Sequence, residues 1–199
     1  ALVRLARIEQ GEGEFRADEP FVVAGAAINA AGARPELADA RLVSRTHAPH
    51  PLLKADGSTL TQVVTRIPGM PADPYRPLLN QTTMNTTVRH YLSYQALRVT
   101  PEFRMTEDDV RGVQWRSTAN SMQGNLEGIR VPTLVVAATC ATSMVLLEIG
   151  FDRSAAADKQ MLAVEGADHF FRPCNAQYGD TYRRAFDAVD AWLAKPGRF

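Results

Sequence analysis

Several features that would assign a sequence to a common class of protein are absent from this one. Only two cysteines occur in 199 residues, and neither Cys-x-x-Cys nor His-Glu-x-x-His spacing is present, which disfavours metal chemistry. No apolar run is long enough to span a bilayer, and no charged-then-apolar leader stands at the start. The 22 basic and 22 acidic residues balance to a formal net charge of zero without a basic block. We therefore expect a soluble protein without a metal cofactor and without a nucleic-acid or membrane partner.

The sequence also lacks an initiating methionine, since it begins at Ala1. Its length of 199 residues is enough for one domain with a sizeable core. We interpret the start at Ala1 as the mark of a processed protein or of one piece of a longer chain.

What the second half does contain is a strand–helix–strand pattern. Residues 128–138 form an apolar run without alternation, which is typical of a strand buried on both faces. The small residues of 152–158 predict a helical segment, and Met161-Leu162-Ala163-Val164 predicts a second buried strand parallel to the first. The turn at residues 165–173 then places His169 just past the carboxyl end of that strand. Ligands and catalytic groups collect at this edge of open α/β sheets.

The two cysteines flank the same region. Cys140 follows the first predicted strand, and Cys174 follows the histidine turn. The two sulfur atoms can approach each other if the strands are neighbours. The sequence leaves both a disulfide and a pair of buried, inert thiols open.

Three features of the second half carry a family resemblance. They are the string Val131-Pro132-Thr133-Leu134-Val135-Val136, the turn Gly166-Ala167-Asp168-His169-Phe170 and the amphipathic helix after Asp180. Together they resemble the C-terminal part of the α/β-hydrolase fold over about residues 126–193. On the closing helix, Asp180 is the expected N-cap. An apolar stripe is expected to cover one face of the sheet, and it consists of Tyr182, Phe186, Val189 and Leu193.

The resemblance implies a fold class and a division of the chain. The fold is α/β, the C-terminal part of an α/β-hydrolase with a mostly parallel sheet flanked by helices and with a lid or excursion. Residues 1–39 would be the tail of a preceding sheet and helix region, 40–116 a lid-like excursion, and 117–199 the last strands and helices of the core. The excursion carries polar and aromatic residues to which no role is assigned, among them His47, His50, His90 and Trp115.

Local patterns predict three elements within the excursion. Residues 59–67 predict a short strand with Leu60, Val63 and Val64 pointing inward. Residues 86–99 predict a helix, because apolar side chains recur on one face at helical spacing. Thr106, followed by three acidic residues, predicts the capped start of a short helix at 110–114.

His169 is the residue on which we would place catalysis. A serine hydrolase needs a base that titrates near neutrality and stands on a loop able to reach the nucleophile. A loop histidine bonded to its own turn is the alternative. The resemblance implies a carboxylate near residues 140–142 to orient the base, but the sequence has none there. We therefore assign that role to Glu148, with Asp152 as the next choice and an acid from another strand, or none, left open. Asp168 is expected to be structural.

The nucleophile is missing from the sequence. No Gly-x-Ser-x-Gly elbow occurs, and Ser117, Ser121 and Ser143 lack the flanking glycines. In the α/β-hydrolase family, which this sequence resembles, the elbow and the oxyanion hole lie in the N-terminal half. The resemblance therefore implies a partner, the N-terminal portion of the same hydrolase as a separate chain that bears the nucleophile.

The expected function follows from the resemblance. The whole enzyme would cleave an ester, lactone, thioester or amide of a small acyl substrate through an acyl-serine intermediate, without a cofactor. The missing acid near Ala141 favours an alternative, a non-catalytic α/β-hydrolase-like binding or structural module. A self-contained small α/β domain that binds a small molecule at its strand ends is a second alternative.

Overall fold

The computed structural model describes residues 7–8, 10–24, 39–68 and 82–198, which form a mixed α/β structure. The strands are β1 (Pro20–Ala24), β2 (Arg45–Leu53), β3 (Thr59–Thr65), β4 (Thr83–Thr87), β5 (Arg98–Met105), β6 (Val110–Gln114), β7 (Thr133–Ala138) and β8 (Lys159–Val164). The α-helices are α1 (Val88–Tyr94), α2 (Met122–Asn125), α3 (Met144–Arg153) and α4 (Thr181–Leu193). Within these described ranges, no helix has the length and apolar character needed to cross a membrane.

The predicted pair of parallel strands lies in a four-stranded sheet of order β3-β2-β8-β7. β7 and β8 pair in parallel along their whole length, from Thr133 opposite Lys159 to Ala138 opposite Val164, which confirms the strand–helix–strand unit. β2 adds to the other side of β8, also in parallel, and β3 pairs with β2 as an antiparallel hairpin. Part of the segment interpreted as a lid-like excursion therefore belongs to the central sheet.

The sheet is covered on both faces. Side chains alternate along β7 and β8, so each strand contributes to two apolar layers. One layer contains Met144 of α3 together with Leu52, Val64, Val135, Ala137, Met161 and Ala163. The other contains Ala185 of α4 together with Ala138, Ala141, Leu162, Val164 and Ala167. Burial of a valine or methionine side chain contributes roughly 1.5–3 kcal/mol, so these two layers hold the sheet between α3 and α4.

The closing helix covers the sheet with a different face from the one predicted. Asp180 is its N-cap, as expected, and accepts from the Arg183 amide at 2.9 Å. The predicted stripe was wrong, because Tyr182 is 54% exposed and Phe186 is 52% exposed. The side chains that are buried are those of Thr181, Ala185 and Trp192. Small residues let the helix approach the sheet closely, and this contact decides the rotation of the helix more strongly than the apolar pattern.

The helix predicted for residues 86–99 is shorter than the pattern indicates. Only Val88–Tyr94 is helical, and the hydroxyl of Thr87 caps it by accepting from the His90 amide. The residues before it form β4, which pairs with β1, and the residues from Arg98 onward form β5. Strand pairing at both ends therefore overrides the local helical spacing.

Residues 110–114 are a strand and not the predicted helix. They form β6, antiparallel to β5. The hydroxyl of Thr106 donates to Asp108 and to the Asp109 carbonyl inside the β5–β6 turn, so it stabilises a turn instead of capping a helix. The prediction failed because a polar turn and an N-cap use the same residue types.

Two further local predictions need correction. In β3 only Val64 is buried, whereas Leu60 is 52% and Val63 is 36% exposed. The helical segment expected at 152–158 lies earlier, because α3 ends at Arg153 with Ser154 as its C-cap.

Candidate functional site

His169 stands on the loop that follows β8, at the carboxyl edge of the parallel strands. The loop leaves the strand through Gly166, whose φ of +72° is a conformation that favours glycine, and a Cβ there would overlap the Tyr178 ring. Ala167 and Pro173 then form an isolated bridge that closes the loop. Inside this loop the imidazole of His169 is exposed and makes an edge contact with the Phe170 ring, at 5.1 Å between centroids.

Asp168 builds the turn on which His169 stands. Its Oδ1 accepts from the amides of Phe170 at 2.8 Å and Arg172 at 2.9 Å. Its Oδ2 accepts from the Arg172 side chain at 2.9 Å. This confirms the structural role predicted for Asp168. Since the carboxylate is used by the backbone and by Arg172, it holds the loop and leaves the neighbouring imidazole free.

The disulfide that the sequence left open is present between Cys140 and Cys174, 34 residues apart. It joins the loop after β7 to the end of the histidine loop. Two backbone bonds reinforce the junction: Cys140 donates to the Ala167 carbonyl at 2.9 Å, and Cys174 donates to the Gly166 carbonyl at 2.8 Å. The position of His169 is therefore fixed covalently as well as by hydrogen bonds.

Glu148 is a residue of α3, and its side chain lies between α3 and β2. Its side chain is 0% exposed. The amides of His47 and Ala48 donate to its two oxygens at 2.9 and 3.1 Å. The Nε2 of His50 lies 2.7 Å from Oε1, and the Nδ1 of His47 lies 3.1 Å from Oε2. Burial acts to raise the pKa of Glu148, but these hydrogen bonds, His50 first, outweigh it and hold the pKa below its ordinary value.

His47 also reaches a second carboxylate, that of Asp152, one helical turn after Glu148. Its Nε2 lies 3.2 Å from the Asp152 Oδ2. Burial is the main cause that raises the pKa of Asp152, and the negative charge of Glu148 adds to it. A cavity of about 390 Å³ adjoins this pair. Its lining residues are His47, Asp108, Asp109, Val110, Arg111, Trp115, Ile149, Asp152 and Arg153.

The structure does not bring His169 and Glu148 together. Leu52 of β2 is level with Ala163 of β8, so His50 and the Glu148 carboxylate lie before the carboxyl end of the sheet. His169 lies beyond that end. Both oxygens of Glu148 are already used by β2, and among the described residues no carboxylate bonds to the His169 ring. The catalytic role of His169 stays a prediction, and an acid to orient it is not supplied by Glu148 in this arrangement.

The three serines that lack the flanking glycines of an elbow either make local hydrogen bonds or have an ordinary backbone conformation. Ser117 accepts from the Arg98 amide, and Ser121 caps α2. Ser143 stands at the N-terminus of α3 with φ −83° and ψ −5°. Within the described ranges, the only non-glycine residues with positive φ are Val43 and Phe171. No described serine therefore has the strained turn of a nucleophile elbow.

His47 and His50 were not predicted to share a carboxylate. They are three residues apart in a strand, where alternation would place them on opposite faces. The pairing of β2 with β3 shifts register between Arg45 and Pro49, which breaks the alternation at this point. A His-x-x-His spacing with a proline inside a polar strand was the only signal in the sequence.

Comparison of the chain with protein-family models, with curated proteins and with solved structures found no match.

Proposed function

We propose that the chain is the C-terminal chain of a serine hydrolase that cleaves an ester, lactone, thioester or amide of a small acyl substrate. The observation that carries the proposal is the exposed His169 at the carboxyl edge of a parallel sheet, on a loop fixed by Asp168 and by the Cys140–Cys174 disulfide. A base held in this way costs little reorganisation when it meets a substrate. A histidine that served only its own turn would bond to that turn, and His169 does not.

In the proposed mechanism, His169 moves the proton. A serine on the partner chain attacks the substrate carbonyl while the imidazole removes the hydroxyl proton. The imidazolium then gives this proton to the leaving group, and water attacks the acyl-serine by the same route in reverse. The oxyanion hole would come from the partner chain, and the acid that orients His169 from outside the described residues.

The open edge of β7 supports a partner chain. β7 is the last strand of the central sheet, and among the described residues no strand pairs with its outer edge. Val131, two residues before β7, is an exposed apolar side chain, with 66% of its surface accessible. A strand edge of this kind offers unpaired backbone groups to a further strand. The N-terminal portion of a hydrolase would supply that strand together with the nucleophile.

Two exposed aromatic side chains on α4 add apolar surface to the molecule. Arg184, on one flank of the helix, donates to the Leu53 and Glu165 carbonyls and so points toward β2. Tyr182 and Phe186, on the opposite flank of the helix, are exposed, and their rings stack at 4.6 Å between centroids. Apolar side chains and an open strand edge together favour a protein partner.

The test is serine-directed fluorophosphonate labelling of the native protein, followed by a denaturing gel and intact masses of every band. We expect the label on a second, co-purifying polypeptide. In reconstituted protein, His169→Gln should reduce the labelling rate by at least about 100-fold, because general-base catalysis is typically worth 10²–10⁴. His90→Gln, which changes an exposed histidine on α1, is the matched control and should label normally.

The same experiment separates the second candidate, a non-catalytic binding or structural module. The position of Glu148 favours it, because the carboxylate expected to orient His169 is occupied by β2. A single unlabelled band at the mass of this chain would contradict the two-chain hydrolase and support the module.

A further inference from the structure

The contacts of His47 cannot all be satisfied by a neutral imidazole. Its Nδ1 faces the Glu148 carboxylate at 3.1 Å, and its Nε2 faces the Asp152 carboxylate at 3.2 Å. A neutral ring carries one N–H, and an ionised carboxylate only accepts. One of the two contacts would then oppose a nitrogen lone pair to a carboxylate oxygen. An imidazolium, with a proton on each nitrogen, satisfies both contacts.

Glu148 fixes which nitrogen must always donate. It accepts from the backbone of His47 and Ala48 and from the His50 ring, so the ionised form is the one that this pocket stabilises. Nδ1 of His47 is therefore a donor. The second proton, on Nε2, is the one whose presence depends on Asp152. The His47 side chain is 47% exposed, so solvent can exchange that proton.

Other charged groups surround the cluster without replacing these two contacts. They are Arg45 and His50 on β2, Asp108, Asp109 and Arg111 around the β5–β6 turn, Arg153 on α3 and Lys159 on β8. Most have partners of their own: Arg111 pairs with Asp109, Arg153 with Glu127, and Arg45 with Glu107. Lys159 donates to three carbonyls at the end of α3. Within the described part of the chain, only Glu148 and Asp152 bond to the His47 ring.

We propose that Glu148, His47 and Asp152 form a proton-binding site, separate from His169, in which His47 is held as an imidazolium between two carboxylates. The bound proton links β2 to the C-terminal turn of α3 and lies at the wall of the adjoining cavity. When the proton leaves, the Glu148 contact persists and the Asp152 contact is lost. The site is therefore a proton-dependent connection between the strand and the helix.

Nitrogen-15 NMR of the uniformly labelled protein at pH 7.5 tests the proposal. A free histidine is mostly neutral at this pH. We expect long-range ¹H–¹⁵N spectra to show the imidazolium pattern for His47, with both ring nitrogens protonated. His47→Gln assigns the signal, since only four histidines are present.

Asp152→Asn supplies the decisive comparison, because it removes one charge from a residue whose side chain is 45% exposed and should leave the fold intact. We expect it to convert His47 to a neutral ring with its proton on Nδ1. Asp108→Asn changes another carboxylate of the same cavity and should leave the imidazolium pattern unchanged. Amide spectra check that each variant is folded. A neutral His47 in the native protein, or an imidazolium that survives Asp152→Asn, would overturn the proposal. Neither result depends on hydrolase activity.

Discussion

Glu148 and Asp168 both lie close to histidines, and the two carboxylates are used in opposite ways. Glu148 is buried and holds two histidines of β2. Asp168 holds the backbone of its own turn and leaves the adjacent His169 exposed. The histidines beside Glu148 are part of the packed structure, whereas His169 is held exposed by the turn that Asp168 builds. Proximity in sequence to a carboxylate therefore says little about whether a histidine is free to react.

The largest expected effect comes from Glu148→Gln. The variant removes the charge against which His47 and His50 are placed, and leaves buried donors poorly paired. Leaving a buried hydrogen-bond donor without its acceptor costs about 1–3 kcal/mol in free energy of unfolding, and three donors point at Glu148, the amides of His47 and Ala48 and the His50 ring. Urea unfolding followed by circular dichroism measures this loss. Glu107→Gln, at a carboxylate that is 46% exposed, is the control and should change stability by less than about 0.5 kcal/mol. An equal, small loss in both variants would contradict the assignment of Glu148 to the core.

Acid should weaken the same region. The pKa of Glu148 is below its ordinary value of 4.5, so its contribution to stability is present above about pH 4.5 and is lost as pH falls through the folded-state pKa. Asp152 acts in the opposite direction, because its pKa is raised above 3.8. Asp152 is present in both the native protein and Glu148→Gln, so the difference between their unfolding free energies at pH 7 and pH 3 reports the loss of the Glu148 carboxylate, including its effect on the pKa of Asp152. We expect the native protein to lose more than the variant, and parallel losses would be the contrary result.

A smaller effect is expected from Asp168→Ala. The amides of Phe170 and Arg172 lose their acceptor, which costs about 1–3 kcal/mol. Hydrogen exchange at these two amides should accelerate, and urea unfolding gives the change in stability. Asp168→Asn keeps an acceptor oxygen and should lose less. If the two amides exchange at the native rate in the alanine variant, Asp168 does not build the turn.

The smallest effect on stability is expected from His169→Gln. The imidazole is exposed and bonds to no described side chain, so the free energy of unfolding should change by less than about 0.5 kcal/mol. Thermal unfolding with His50→Gln as the comparison measures this, since His50 is 7% exposed and should be far more sensitive. Equal destabilisation by both variants would contradict the contrast between the buried His50 and the exposed His169.

The local sequence pattern predicts those elements whose residues share one environment along the whole element. β7 and β8 are buried on both faces, so their apolar runs identify them. Asp180 caps α4 because its neighbours along the chain provide the amide. By contrast, the short strands β5 and β6 depend on each other, and neither carries an apolar run that separates a strand from a helix.

The candidate site divides in the same way. The place of His169 after a buried strand was readable from the order of residues, because a turn follows its strand directly. The partners of Glu148 were not, since the residues that bond to it lie 98 to 101 positions earlier. The sequence around a carboxylate on a helix does not indicate which distant strand will cover it.

The sequence by itself determined the parallel β7–β8 pair, the cap of α4 and the loop that carries His169, because each depends on neighbours in the chain. Only the tertiary structure decided that β2 joins the central sheet, that α4 turns Ala185 inward and Phe186 outward, and that Glu148 serves His47 and His50. Those outcomes depend on which distant surfaces fit closely enough to exclude water, and close packing is a property of the assembled core.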